Sequence, residues 1–183
     1  NAACFKPEEG RLWVMFSSSL LEAFSEKELL FIVGHELGHH VYHHHDIPIG
    51  YLLMGPERPP ADLVLDLFKW SRYAEISADR AGAACADDFE AVAQALFKLT
   101  SGLANSKVVR FSLPEFLAQV DEMQAEQQDP GQGAPMEDWF STHPFSPMRV
   151  RAWQLFHESA WMTSGGTSPA ERGRGVQSVI SRR

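Results

Sequence analysis

The sequence predicts a mostly α-helical domain with a small β element near its N-terminus, an α+β arrangement in which helices dominate. Three observations lead there. Apolar residues recur at three- and four-residue spacing through stretches with few breakers, most clearly over 61–86. Helix-start signatures recur as well: Ser25 with Glu28, Asp87 with Glu90, and Ser112 with Pro114 and Glu115. The one stretch of clear strand character, residues 11–19, precedes all of these.

Each element has its own local reason. Residues 11–19, Arg-Leu-Trp-Val-Met-Phe-Ser-Ser-Ser, are aromatic and partly β-branched before a serine cluster, which reads as a short strand. Ser25 then opens a helix expected over 26–44. Its hydroxyl accepts the amide three residues on, and Glu28 reaches back to the Ser25 amide. The helix end leads into Asp46-Ile47-Pro48-Ile49-Gly50, and Gly55-Pro-Glu-Arg-Pro-Pro60 reads as loop. The helix over 61–86 follows, then one from Asp87 to about Gly102, and one from Ser112 to about Gln127. The Gly- and Pro-rich run 129–135 connects to a last helix, opened by Ser146-Pro147, ending near Glu158 and carrying Trp153 and Phe156. Beyond Met162 the chain is rich in Gly, Ser and Arg, so 163–183 is expected to be a flexible tail behind a domain spanning 1–162.

Bulk properties narrow the function. A chain of 183 residues, 44% hydrophobic and 22% charged, suits one globular domain with a substantial core. A net charge of -8 argues against a nucleic-acid partner, which calls for a basic face to neutralise phosphates. No apolar run reaches the roughly 18 residues of a membrane helix. The opening Asn1-Ala2-Ala3-Cys4 lacks both a signal peptide and an initiator Met, and reads as a processed product or an excised segment. The compartment is thereby left open, the cytoplasm favoured, with an upstream signal or anchor still allowed. Cys4 and Cys85 have neither disulfide-framework nor zinc-site spacing and read as small apolar side chains.

The chemistry concentrates in His35-Glu36-Leu37-Gly38-His39. Histidines at i and i+4 project from one helix face, so two imidazoles can hold one Zn²⁺. Glu36 lies about 100° round the helix from His35, where its carboxylate reaches the attacking water without binding the metal. A catalytic zinc needs a third protein ligand and an open position. His45 would complete a metzincin-like arrangement, but that pattern requires glycine where this chain has Tyr42. Glu75, four residues before Asp79 on the next long helix, is the ligand assigned instead. Asp79 is expected to accept the outward N–H of a zinc-bound histidine. A solvated acidic face is the ordinary reading of such a carboxylate pair, and it yields here to the company of the first motif. His40, His43, His44 and His45 read by default as a polar helix end, with one of them supporting the site as the alternative.

Three ordered motifs together resemble the gluzincin peptidases that include HtpX-like proteases and CAAX prenyl endopeptidases. They are Phe31-Ile-Val-Gly-His-Glu-Leu-Gly-His39, Glu75-Ile-Ser-Ala-Asp-Arg-Ala-Gly82, and Ser141-Thr-His-Pro-Phe-Ser-Pro-Met-Arg149, preceded by an Asn1-Ala2 element and a short strand. The resemblance spans nearly the whole chain except the tail. It implies a gluzincin-type catalytic domain over 1–162 lacking an upstream part of its sheet, one Zn²⁺ per chain, and endopeptidase action on a peptide or protein. It also implies that His143 lies at the cleft and donates to the developing oxyanion, and that Arg149 pairs with a carboxylate near the metal such as Asp79. His44 matches a position often occupied by histidine in the family. The family's transmembrane segments are absent from this chain, which reads as a soluble member or an excised catalytic domain. The strand at 12–17 is expected to offer an edge along which an extended substrate aligns. The rival reading is a zinc-binding interaction domain that is catalytically silent or latent, with the tail or residues 129–138 over the cleft.

Overall fold

The computed structural model describes residues 2–5, 11–56, 59–103, 110–127 and 146–159. Asn1, the 129–138 segment, His143 and the tail 163–183 lie outside the described residues.

Two four-residue strands, β1 (Ala2–Phe5) and β2 (Trp13–Phe16), pair antiparallel with Ala2 opposite Phe16 and Phe5 opposite Trp13. Alternation puts Ala2, Cys4, Val14 and Phe16 on the inner face, and leaves Trp13 and Met15 exposed. The expected strand is present, shortened to its aromatic and aliphatic centre. Strand β1 packs on the following long helix, and Phe16 of β2 reaches the same core. The serine cluster expected to end the strand starts a short helix instead, α1 (Ser18–Ala23).

Helix α2 (Glu26–Val41) begins with the expected capping box: Glu28 N–H donates to Ser25 Oγ at 3.4 Å, and Ser25 N–H to Glu28 Oε2 at 2.6 Å. Glu28 is buried, and Lys98, from another helix, offsets the cost by meeting the same carboxylate at 2.8 Å. The helix stops three residues short of the expected 44. His43 takes the left-handed region, φ 58 and ψ 34, and a single 3-10 turn, His44–Asp46, follows. A further short helix, α3 (Ile49–Met54), lies just before the expected loop, where the sequence indicates no element. Six-residue helices such as α1 and α3 are too short for periodicity to reveal.

Helix α4 (Ala61–Ala86) spans the expected range. It closes with Asp87 at φ 48, so the cap of α5 (Phe89–Ser101) moves from the expected Asp87 to Asp88, whose Oδ1 accepts the Ala91 amide at 3.0 Å. Helices α6 (Leu113–Gln127) and α7 (Ser146–His157) begin where their signatures place them. The core lies among α2, α4, α5, α6 and α7, around Phe31, Ile32, Leu96, Phe116, Val150 and Trp153.

The packing that matters most for function is α2 against α4. Glycines and alanines face each other across it. A Cβ on Gly34 would lie 2.7 Å from Cys85 Sγ and 2.8 Å from Gly82 Cα, and one on Gly38 would lie 2.9 Å from Ala81 Cβ. A Cβ on Gly82 would collide with the Phe31 carbonyl oxygen and lie 2.8 Å from the Phe31 ring. Backbones without side chains between them approach closely, and the polar side chains beside the seam come within bonding reach of one another. Lys27 secures the far end, donating to the Ala86 carbonyl at the α4 C-terminus at 2.8 Å.

Candidate metal centre

His35 and His39, one turn apart on α2, point their Nε2 atoms at each other across 3.1 Å. Glu75 on α4 closes the triangle, with Oε2 3.6 Å from His35 Nε2 and Oε1 3.4 Å from His39 Nε2. Among the described residues this is the one group of three or more potential ligands with all its donor atoms within 4.8 Å of one another. Tetrahedral bonds of about 2.0–2.1 Å set the ligand atoms roughly 3.3 Å apart, so the three separations suit one zinc.

The protonation states also suit a cation. Asp79 is buried, and burial alone would raise its carboxyl. The charge of Arg149 and its hydrogen bonds outweigh that, with help from His35, and hold Asp79 well below the usual carboxylate range. Arg149 Nε donates to Asp79 Oδ2 at 2.7 Å, and Nη2 to Oδ1 at 2.5 Å. An ionised carboxylate only accepts, so the 3.0 Å contact between His35 Nδ1 and Asp79 Oδ1 puts a proton on Nδ1, and in the neutral ring Nε2 is then the bare nitrogen. Burial, then the neighbouring imidazoles of His35, His44 and His45, push His39 down to about 3 against the pull of Asp79, so this ring is neutral near pH 7. A bare nitrogen, a neutral imidazole and a carboxylate thus converge on one point, the donor set that a divalent metal binds.

Arg149 sits at the hub of the site's acids. Burial alone would lower its pKa, but Asp79, Glu75 and Glu36 together raise it. Its Nη2 lies 3.4 Å from Glu75 Oε2, so one guanidinium braces both α4 carboxylates. Glu36 is half-buried on the side of α2 facing β1. After burial, its charge is the next cause raising the thiol of Cys4.

The structure therefore brings together His35, His39, Glu36, Glu75, Asp79 and Arg149. His45 stays outside the triad, with its ring centroid 5.8 Å from that of His39. His43 is exposed and pairs with Asp46 at 3.5 Å. Of the helix-end histidines it is His44 that reaches the site, the alternative the sequence held open, and it brings in a serine that was not evident from sequence. Ser77 lies 3.1 Å from His44 Nε2, and His44 Nδ1 lies 3.1 Å from His39 Nδ1. Ser77 is about 200° round α4 from Glu75, and no sequence pattern singles out a serine there. Beside the triad, a cavity of about 300 Å³ is walled by Ile47, Pro48, Ile49, Trp70 and Ala74 and reaches His39 and Glu75.

A sequence profile of Peptidase family M48 matches residues 3–54 and 61–155, a span that takes in all three motifs. No curated protein and no solved structure matches the chain.

Proposed function

The chain belongs to peptidase family M48, and on that footing we propose that it is a zinc-dependent endopeptidase acting on a peptide or protein. The observation that carries this is the convergence of His35 Nε2, His39 Nε2 and a Glu75 oxygen, with Glu36 next to the first ligand. One Zn²⁺ per chain, held by His35, His39 and Glu75, would supply the Lewis acidity that activates water and polarises the scissile carbonyl. The chain's own residues do the rest. Glu36 takes the proton of the attacking water as general base and hands it to the departing amine. Asp79 orients His35, and Arg149 keeps Asp79 ionised in its buried position. His143, carried over from the family pattern, donates to the oxyanion. The cavity bordered by Ile47, Ile49 and Trp70 suits an apolar substrate side chain next to the scissile bond. No described helix is long and apolar enough to cross a membrane.

The experiment compares bound zinc and casein hydrolysis in the unaltered chain and in Glu36→Gln. Zinc is retained in both, while hydrolysis falls by about 10²–10⁴-fold in the variant. Equal hydrolysis in both proteins, or no zinc in the unaltered chain, defeats the proposal.

A further inference from the structure

The two histidines of the triad are supported differently from behind. His35 rests on the Asp79–Arg149 ion pair, while His39 turns its Nδ1 toward His44, and among the described residues no carboxylate is bonded there. We propose that His44 and Ser77 are a positioning pair that holds His39 in the tautomer and orientation needed to bind metal through Nε2. This rests on the triad being a metal site, not on which reaction the site performs.

The direction of every hydrogen bond follows from its far end. Ser77 Oγ lies 2.9 Å from the carbonyl oxygen of Ala74, which can only accept, so the single hydroxyl proton points there. Toward His44 the same oxygen is then an acceptor, and the 3.1 Å contact requires the proton on His44 Nε2. A neutral His44 protonated at Nε2 has a bare Nδ1. The 3.1 Å contact between the two Nδ1 atoms is satisfied only when His39 supplies the hydrogen. His39 Nε2 is left bare, aimed at His35 Nε2 and Glu75. The chain of donors ends on a backbone carbonyl within α4, a group that helix geometry holds in place.

The backbone is shaped to bring His44 there. Helix α2 would carry His44 past His39 if it continued, but His43 at φ 58 breaks it and folds His44 back beneath the preceding turn. Left-handed backbone in a non-glycine residue is unfavourable and persists where the surroundings enforce it. Packing then orients the ring: Trp70 meets it edge-on, with centroids 5.7 Å apart and planes at 87°, and His39 meets it edge-on at 4.9 Å.

The test is metal binding by the 183-residue chain, read by Zn²⁺ titration against a competing chelator and by the visible absorption of the Co²⁺-loaded protein. His44→Ala is expected to weaken Zn²⁺ binding by about 10- to 100-fold and to shift the Co²⁺ bands. His44→Gln, which keeps one acceptor and one donor, restores most of the affinity. Ser77→Ala produces a smaller loss in the same direction. Unchanged affinity and spectrum in folded His44→Ala overturn the proposal, and so does a His44→Gln protein no better than His44→Ala. If His44→Ala fails to fold, Ser77→Ala decides alone, because it removes one hydroxyl and leaves every ring in place. A chain that binds zinc yet hydrolyses nothing defeats the peptidase reading and leaves this one standing. A chain that binds no zinc defeats both.

Discussion

The two sides of the candidate metal centre hold their imidazoles by different physics. Behind His35 stands a buried ion pair, Asp79 with Arg149, whose carboxylate must stay charged in a place that disfavours charge. Behind His39 stands a neutral series, His44 and then Ser77, ending on a backbone carbonyl. The charged side strengthens its ligand more, since a full negative charge polarises the N–H it accepts. It also depends on its partner, because a buried carboxylate without its guanidinium is costly. The neutral side gives up strength and carries no such dependence.

The largest effect should come from breaking the charged side at its outer member. Arg149→Met leaves Asp79 buried without a counter-charge and is expected to destabilise the fold by about 3–5 kcal/mol, read by urea unfolding of the apo protein. A loss below about 1 kcal/mol would mean that water reaches Asp79 readily and that the two sides are less different than they look.

Gly82→Ala acts on both sides together. Its methyl meets the Phe31 backbone, so α2 and α4 must separate, and a cost of about 1–3 kcal/mol is expected with weakened zinc binding. Zinc affinity unchanged in this variant would show that the close seam does not set the site.

Acid titration separates the sides. His39 has its folded value lowered to about 3 from the ordinary histidine value, so the unfolded chain binds a proton that the native one refuses. The apo protein should therefore lose stability as pH falls below about 6.5, and the loss should continue until the native ring itself protonates. Asp79 is depressed when folded, so its contribution is present above the ordinary carboxylate value of about 3.9 and is lost below it. Unfolding midpoints followed against pH should show the first decline flattened in His39→Gln and the second flattened in Asp79→Asn. The smallest effect is a control away from both sides. Asp88→Ala removes the cap of α5 and should cost about 1 kcal/mol with zinc affinity unchanged.

Much of this was legible in the chain because it is local. The Ser25–Glu28 box, the bounds of α4 and the i, i+4 spacing of His35 and His39 are short-range patterns with a direct physical meaning. Glu75 and Asp79 were legible only in company, since a carboxylate pair on a helix is usually solvated. Helices α1 and α3 were not, being too short to show a period, and the cap of α5 slipped by one residue because Asp87 was needed to end α4.

The sequence by itself determined which side chains can bind metal and which turn of α2 presents them, because helical spacing is dictated by the backbone. What the tertiary structure decided is how the triad is closed and supported. The approach of α2 to α4 depends on Gly34, Gly38 and Gly82 meeting small residues across a seam that no single segment contains. The support behind His39 depends on one left-handed residue, His43, and on a serine 33 positions from His44. Spacing along a chain carries no information about such contacts, since they exist only once packing has chosen which faces meet.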